Sequence, residues 1–178
     1  MNAKFEFTGE TKIVSGVALN RLRAIISFGG VVKGEIGGWV EKEANLQVYG
    51  DAWVSGNARV YGDARVSGNA RVSGNARVYG NARVYGDARV SGNARVYGDA
   101  DFLLVGPIGS RKDHLCIHAD TEIGVRFTTG CFSGTEFQFK EAVQKSHGDS
   151  EYGRQYRAAI ELAALCVKPA KVKKKEAA

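Results

Sequence analysis

Six-residue repeats fill the middle of the chain and constrain its fold more than any other feature. From Val48 the sequence reads VYGDAW, VSGNAR, VYGDAR, VSGNAR, VSGNAR, VYGNAR, VYGDAR, VSGNAR and VYGDAD without an insertion. Val recurs at every sixth position, Ala follows four residues later, and Gly with Asn or Asp stands between them. Repetition at a fixed period is the signature of a solenoid. The repeat therefore predicts a chain that coils around one axis.

Each hexad reads as a short strand followed by a bend. Alternation along a strand places Ala58 and Val60 in the core and the flanking Arg59 and Tyr61 outside. The Gly and Asn or Asp that follow predict a corner, because Gly accepts positive φ and Asn and Asp tolerate left-handed conformations. Three such corners per coil predict a triangular prism.

Residues 18 apart test the prediction of three hexads per coil, because they should stack in columns. One column contains only Tyr and another only Ser: Tyr61, Tyr79 and Tyr97, and Ser55, Ser73 and Ser91. Two corner columns alternate Asp with Asn, which avoids adjacent carboxylates. The columns favour a three-hexad coil, although duplication of an 18-residue unit would leave the same pattern.

This pattern, an aliphatic residue followed four positions later by a small one, resembles the hexapeptide-repeat left-handed parallel β-helix over residues 48–101. The resemblance continues more weakly upstream through IGGWVE and KEANLQ, where Val40 and Leu46 replace the small Ala. It implies a mainly β fold, left-handed coils and a homo-oligomer, with a trimer favoured. A right-handed solenoid is the alternative.

The flanks predict coverings for the two open ends of the solenoid, which would otherwise expose unpaired backbone groups. We expect a small β-rich cap over residues 1–35, with strand-like segments KFEF, KIVSGVAL and RLRAIISF, and the solenoid over residues 36–101. An α+β cap follows over residues 102–168, and a disordered basic tail over residues 169–178.

Within the C-terminal cap, strands are predicted at His114–His118 and Ile123–Thr129. A helix is predicted from Glu136 to Lys145 with Thr135 as its N-cap. A second is predicted from Glu151 to Val167, and its expected apolar residues are Tyr156, Ile160 and Ala163 or Ala164.

Composition limits the setting of the protein. The 25 Lys and Arg exceed the 19 Asp and Glu and give a net charge of +6, which permits an anionic partner without requiring one. Three cysteines without paired spacing argue against a disulfide framework or a zinc module and favour a reducing compartment. Because no apolar run is long enough for a signal core or a membrane span, we expect a soluble, cytoplasmic protein.

The sequence offers no catalytic constellation. Many hexapeptide-repeat proteins are coenzyme A-dependent acyltransferases that use a histidine as base, but residues 48–101 contain none. His114 and His118 share a strand face, where a two-ligand metal site is one alternative and ordinary strand histidines are the expectation. Cys131 precedes a helix and is expected to be a buried structural cysteine rather than an activated thiolate. We therefore predict no enzyme, no metal and no cofactor.

The outward columns of the coils form the first candidate binding surface. Arg59, Arg77 and Arg95 flank the Tyr61, Tyr79 and Tyr97 column. Guanidinium groups pair with phosphates and aromatic rings stack on bases, so such a face can hold a nucleotide-like ligand. Two alternatives stay open: the corner Asp and Asn residues pair with the Arg residues, or the Tyr column is a homo-oligomer contact.

The C-terminal region offers a second basic set. Its members are Arg111, Lys112, Arg126, Arg154 and Arg157. If they converge, they predict a pocket for a phosphorylated small molecule, and the alternative is scattered surface charge. The basic run 171–175 permits weak contact with nucleic acid, although a solvated tail is expected and nucleic acid is not a predicted partner.

The whole arrangement resembles uncharacterised proteins of bacteria and their prophages. The resemblance rests on KFEFTGETK, RLRAI, GGWVE, the YGDARVSGNAR coils, GCFSGTEF and HGDSEYGRQYRAAIEL. It implies a phage accessory protein. The leading hypothesis is a non-catalytic, oligomeric solenoid that captures a nucleotide-like anion or a host protein, and so counters host defence. A scaffolding solenoid and an acyltransferase are the alternatives.

Overall fold

The computed structural model describes residues 3–98 and 101–172. The chain divides into two compact units at residues 99 and 100, and each is described by itself. The described residues are mainly β: a solenoid of about three turns lies in the first unit, and a small helical region lies in the second. Within those described ranges no helix is long and apolar enough to cross a membrane.

An antiparallel hairpin begins the first unit. Its strands are β1 (Phe5–Val14) and β2 (Val17–Ala24). Ser15 and Gly16 connect them with φ values of 51° and 80°, as a two-residue type I′ turn requires. The interpretation of KIVSGVAL as one strand-like segment is therefore wrong, because the chain reverses direction in its middle.

Strand β3 (Ile36–Val40) and eight two-residue strands build the solenoid. The short strands are β4 (Trp53–Val54), β5 (Arg59–Val60), β6 (Arg65–Val66), β7 (Arg71–Val72), β8 (Arg77–Val78), β9 (Arg83–Val84), β10 (Arg89–Val90) and β11 (Arg95–Val96). They form three parallel sheets, β3-β5-β8-β11, β4-β7-β10 and β6-β9. Because β2 pairs with β3, the hairpin extends the first of these sheets.

The 18-residue column predicted from the sequence is present. Arg59 pairs with Arg77, and Arg77 pairs with Arg95. Every Ala and Val of the hexads between Ala52 and Val96 is fully buried. The core is thus a stack of alternating small and branched side chains. Left-handed coiling remains a prediction from the family resemblance.

Glycine alone makes the corners possible. In the corner Ser55–Ala58, the Ala58 N–H donates to the Ser55 carbonyl at 3.2 Å, and Gly56 has a φ of 63°. This is type II′ geometry, which needs positive φ only at the first central residue. The tolerance of Asn and Asp for left-handed conformations is not used at the described corners, because the described non-glycine residues with positive φ are Ser15 and Lys112.

The first coil departs from the predicted register. Leu46, rather than Val48, bridges to Val66, and Val40 pairs with Val60. Leu46 and Val40 therefore hold the aliphatic position of the repeat, not the small position that the sequence suggested. As a consequence, the corner between Leu46 and Ala52 is two residues longer than a regular corner.

Two buried polar side chains donate hydrogen bonds to backbone carbonyls in and next to the irregular first coil. The Lys4 ammonium donates to the carbonyls of Gln47, Gly50 and Ala52 at 3.3, 3.0 and 2.7 Å. Asn45 donates in the same way to two carbonyls of the following coil, those of residues 62 and 64. Burial lowers the pKa of Lys4 to about 8. These contacts supply partners for carbonyls that would otherwise be buried without one.

An antiparallel sheet and two helices form the second unit. The strands are β12 (Phe102–Ile108), β13 (Asp113–Asp120), β14 (Gly124–Thr129) and β15 (Phe132–Gly134), and the helices are α1 (Glu136–His147) and α2 (Glu151–Cys166). The predicted N-cap of α1 is confirmed, because the Thr135 hydroxyl accepts from the Gln138 N–H at 3.2 Å. The sequence did not predict β12 or β15.

The helices bury one face of this sheet. Leu115, Ile117 and Phe127 pack against Phe139 of α1 and Ile160 of α2. The expected apolar face of α2 is confirmed for Tyr156, Ile160 and Ala163, while Ala164 is exposed.

The predicted disordered tail falls partly outside the described residues, which end at residue 172. Within the described part, the Ala170 N–H donates to the Gly124 carbonyl at 3.0 Å.

We predict that Gly68→Ala destabilises the first unit by about 1–3 kcal/mol, because the substitution strains the backbone. Gly68 has a φ of 66°, and a Cβ there would lie 3.0 Å from the Gly86 nitrogen of the next coil. Gly98→Ala is the matched control, since a Cβ at that glycine meets nothing within 4 Å. Urea unfolding compares the two variants, and equal stability would show that the corners do not depend on glycine.

Candidate functional site

One outer surface of the solenoid carries the candidate site, and we name it the Tyr–Arg face. It comprises Arg59, Arg77, Arg95, Tyr61, Tyr79 and Tyr97. The Arg residues lie on β5, β8 and β11, and each Tyr follows two residues later. Because the intervening Val side chains are fully buried, alternation directs the Arg and Tyr side chains outward.

The tyrosine rings form a continuous aromatic column. Tyr61 and Tyr79 are stacked, with centroids 5.2 Å apart and ring planes 14° apart. Tyr79 and Tyr97 are 5.1 Å apart in an edge-on arrangement, and Tyr97 is 61% exposed. Burial raises the pKa of Tyr61, and the neighbouring Tyr79 acts in the same direction. The Tyr61 phenol is therefore neutral at pH 7, and the exposed Tyr97 ring presents its surface to solvent.

The arginines of this face have no carboxylate partner of their own. Across residues 3–98 and 101–172, no ion pair joins Arg59, Arg77 or Arg95 to an Asp or Glu. Two corner acids have other partners: Asp63 pairs with Lys42 at 3.1 Å, and Asp87 accepts from the Asn69 amide at 3.0 Å. Three arginines on strands whose backbones lie about 4.8 Å apart therefore form a column without an ion pair among the described residues.

The N-terminal hairpin adds a second group of cations at one end of the face. Arg21 of β2 pairs with Trp39 of β3, which pairs with Arg59 of β5. The Lys12 ammonium lies 3.7 Å from the centroid of the Trp39 ring, and the Arg21 guanidinium carbon lies 4.8 Å from it. We name these four residues the Trp39 cluster.

Electrostatic repulsion and unused donors distinguish the Trp39 cluster. Burial lowers the pKa of Lys12 to about 8, and the charges of Arg59 and Arg21 add to that shift. Three buried nitrogens there, Arg21 Nε, Trp39 Nε1 and Arg59 Nε, have no hydrogen-bond partner among the described residues. Sequence reasoning missed Lys12, Arg21 and Trp39, because only the register of the hairpin brings them beside the repeat.

The second basic set is distributed through the C-terminal unit. Arg126 Nε donates to Asp120 at 2.7 Å, Arg157 pairs with Asp149 at 3.2 Å, and Arg154 donates to the Asp149 carbonyl at 3.0 Å. These three side chains therefore have intramolecular partners. The other two, residues 111 and 112, lie in the turn between β12 and β13, where Lys112 has a φ of 49°.

A cavity of about 250 Å³ lies in the C-terminal unit. Of the five basic residues, Arg111 lines it, together with Asp113, Cys131 and an aromatic wall. In that wall the Tyr156 ring contacts those of Phe139 and His147, with centroids 5.6 and 5.5 Å apart. This volume is below the roughly 300–1,000 Å³ of drug-sized ligand sites.

Cys131 is exposed, so the expectation of a buried structural cysteine is wrong for it. It lies in the turn between β14 and β15, and the chain forms β15 before α1 begins. Cys116, on β13, is the buried cysteine.

His118 is a buried histidine of β13. Its Nδ1 lies 3.3 Å from the Ala119 carbonyl oxygen, and its Nε2 has no partner in the described ranges of the chain. Burial lowers its pKa to about 4, so the imidazole is neutral at pH 7. In the part of the chain that the structure describes, no group of three His, Cys, Asp or Glu side chains could hold a metal ion.

Comparison with known families supports the solenoid. The family model of the YdcK beta solenoid repeat matches residues 46–62, 52–68, 58–74, 64–78, 76–91 and 88–100. The chain is similar to this family over its coils. A comparison with curated proteins finds no match. The first of the successive matches begins at Leu46, the residue that bridges to Val66 in the next coil.

We predict that His118 makes the protein less stable in mild acid. Its pKa is lowered from 6.5 to about 4, so the unfolded chain binds its proton first as the pH falls. The stabilisation is complete above pH 6.5, and about 2–3 kcal/mol of it is lost between pH 7 and pH 4.5. Asp120, which pairs with Arg126, titrates below this pH range, since its pKa is lowered from 3.8.

Denaturant unfolding at the two pH values measures the effect. His118→Phe should remove most of the difference between them, because phenylalanine has no proton to gain. An unchanged pH dependence in this variant would contradict the prediction.

Proposed function

We propose that this protein is a non-catalytic β-solenoid binding protein that captures a nucleotide-like anion on the Tyr–Arg face. One observation carries the proposal: three arginines on neighbouring paired strands, which form no ion pair with a carboxylate among the described residues, lie beside a column of tyrosine rings. A cationic column of this kind is unfavourable in the free protein. A bound phosphate would neutralise it.

The spacing of the face suits a phosphate and a base. Each Tyr lies two residues after its Arg, just beyond the end of the strand, which corresponds to about 6.6 Å of extended chain. A phosphate paired with an Arg therefore leaves the attached base close to the neighbouring Tyr ring. Guanidinium groups bind phosphate oxygens in bidentate fashion, and stacking of a base on an aromatic side chain contributes roughly 1–3 kcal/mol.

The repetition of the face favours ligands with more than one phosphate or base. Each coil repeats the same Arg and Tyr pair, as Arg59 with Tyr61 and Arg77 with Tyr79 show. Linked groups that bind two adjacent steps gain affinity without a new kind of contact. The same cations would also attract an acidic host protein, which is the other anionic partner that the sequence suggests.

The biological setting is part of the proposal. The resemblance to prophage proteins supports a phage accessory role in the cytoplasm, in which sequestration of a host nucleotide counters defence. The absence of histidine from residues 48–101 supports binding without turnover. A homo-oligomer, with a trimer favoured by the hexapeptide-repeat resemblance, would multiply the number of Tyr–Arg faces.

A structural scaffold is the second candidate function. The repeated match to a beta solenoid family favours it, since that match describes the coils themselves. A scaffold would grow beyond a small closed oligomer as its concentration rises, whereas a binding protein would not. An acyltransferase, in contrast, would turn over a coenzyme A thioester.

We predict that the protein binds adenosine monophosphate and that Tyr79→Ser weakens this binding about 5- to 150-fold. Tyr79 is the ring that contacts both of its neighbours, and Ser is the residue found at the same hexad position on another face. Calorimetric titration measures the affinity. Arg77→Gln should weaken binding of the nucleotide and leave that of free adenosine unchanged.

The control variants lie on a different face. Arg83→Gln and Tyr85→Ser change the same residue types on β9 and in the hexad after it. Neither should alter the affinity. Binding that responds equally to all four variants would locate the ligand elsewhere, and no binding would overturn the proposed ligand class.

A further inference from the structure

The Trp39 cluster combines positive charge with unused hydrogen-bond donors. Lys12, Arg21 and Arg59 surround an indole that is 6% exposed. Within the part of the chain that the structure describes, the Nε–H groups of both arginines and the indole N–H of Trp39 are buried without an acceptor. Buried donors normally have partners, and an unpaired one costs free energy. The cluster therefore has the donors of an anion site.

The second tryptophan of the chain, in contrast, has a hydrogen-bond acceptor for its indole N–H. Trp53 is also buried, and its Nε1–H donates to the Glu35 carboxylate at 3.3 Å. Across residues 3–98 and 101–172, the Trp39 indole N–H has no such acceptor.

Two acids on the adjoining strands already have other partners. Glu41 accepts from the Gly62 N–H at 2.6 Å, and Glu6 pairs with Arg23 at 2.6 Å. The charge of Glu10 supports the protonated form of Lys12 but is its smallest electrostatic influence.

We propose that the Trp39 cluster binds a tetrahedral oxyanion of the phosphate class. The oxygens of the anion accept from the guanidinium groups of Arg21 and Arg59 and from the Trp39 indole N–H. Lys12, whose side chain is partly exposed, supplies a third positive charge from the solvent side. An oxyanion fits better than a halide, because several oxygens are needed to accept from donors on three different residues.

This site specifies where the phosphate of the proposed ligand binds. It rests on the proposed function only for the identity of the group attached to that phosphate. Arg59 belongs both to the Trp39 cluster and to the Tyr–Arg face, and Tyr61 follows it two residues later on the same side of the sheet. A phosphate held in the cluster would therefore place an attached base at the end of the tyrosine column.

Indole N–H signals report on the site directly, because the chain contains two tryptophans. Nitrogen–proton correlation spectra are recorded during titration with inorganic phosphate, at constant ionic strength maintained with chloride. We expect the Trp39 signal to move downfield and saturate while the Trp53 signal stays in place. Trp53→Phe assigns the two signals.

Variants identify the groups that hold the anion. Lys12→Gln and Arg21→Gln should each weaken phosphate binding at least tenfold, whereas Arg65→Gln, on another face of the coils, should leave it unchanged. Arg21 also donates to the Gly56 carbonyl at 3.1 Å, so its replacement can disturb the coil. Lys12→Gln, at a residue without that bond, keeps the test independent of folding.

The outcomes separate this site from the proposed function. Saturation of the Trp39 signal by phosphate, with no stronger binding of adenosine monophosphate, would leave the site in place and reject the nucleotide-like ligand. Nucleotide binding without movement of the Trp39 signal would support the nucleotide-like ligand and reject the oxyanion site in the Trp39 cluster. Equal movement of both indole signals, or movement with chloride alone, would overturn the oxyanion site.

Discussion

The close stacking of one coil on the next is the constraint on which the rest of the structure depends. Every Ala and Val of the hexads between Ala52 and Val96 is fully buried, and glycine lies against glycine at the corners. A shift of one residue would move every apolar side chain outward, so the register between coils is fixed. This register also determines which outward residues are neighbours. Tyr79 lies between Tyr61 and Tyr97 because each is 18 residues away.

The same constraint forces like charges together. Corner acids alternate with Asn, as Asn69 beside Asp87 shows, and this avoids repulsion. The column of Arg59, Arg77 and Arg95 has no such alternation and no carboxylate partners within the described chain. Departures from otherwise consistent local rules are expected at functional sites. The Trp39 cluster shows the same imbalance at the end of the column, where the cations Lys12 and Arg21 come from the hairpin.

The sequence predicts the coils, because a strict repeat leaves one periodic solution, and it predicts the columns that form the Tyr–Arg face. It does not predict the start of the first coil, since the longer corner after Leu46 depends on an ammonium group from Lys4, more than 40 residues away. The Trp39 cluster depends in the same way on strand pairing across the hairpin. The environment of Cys131 also escapes sequence reasoning, because a short strand that was not predicted separates it from the helix.

A crystal structure of the protein with adenosine monophosphate tests the central claim most directly, because it locates the ligand. We predict a phosphate within hydrogen-bond distance of Arg21, Arg59 and the Trp39 indole nitrogen, with the base against Tyr61 or Tyr79. A ligand bound in the C-terminal cavity beside Arg111 instead, with the Tyr–Arg face empty, would contradict the claim.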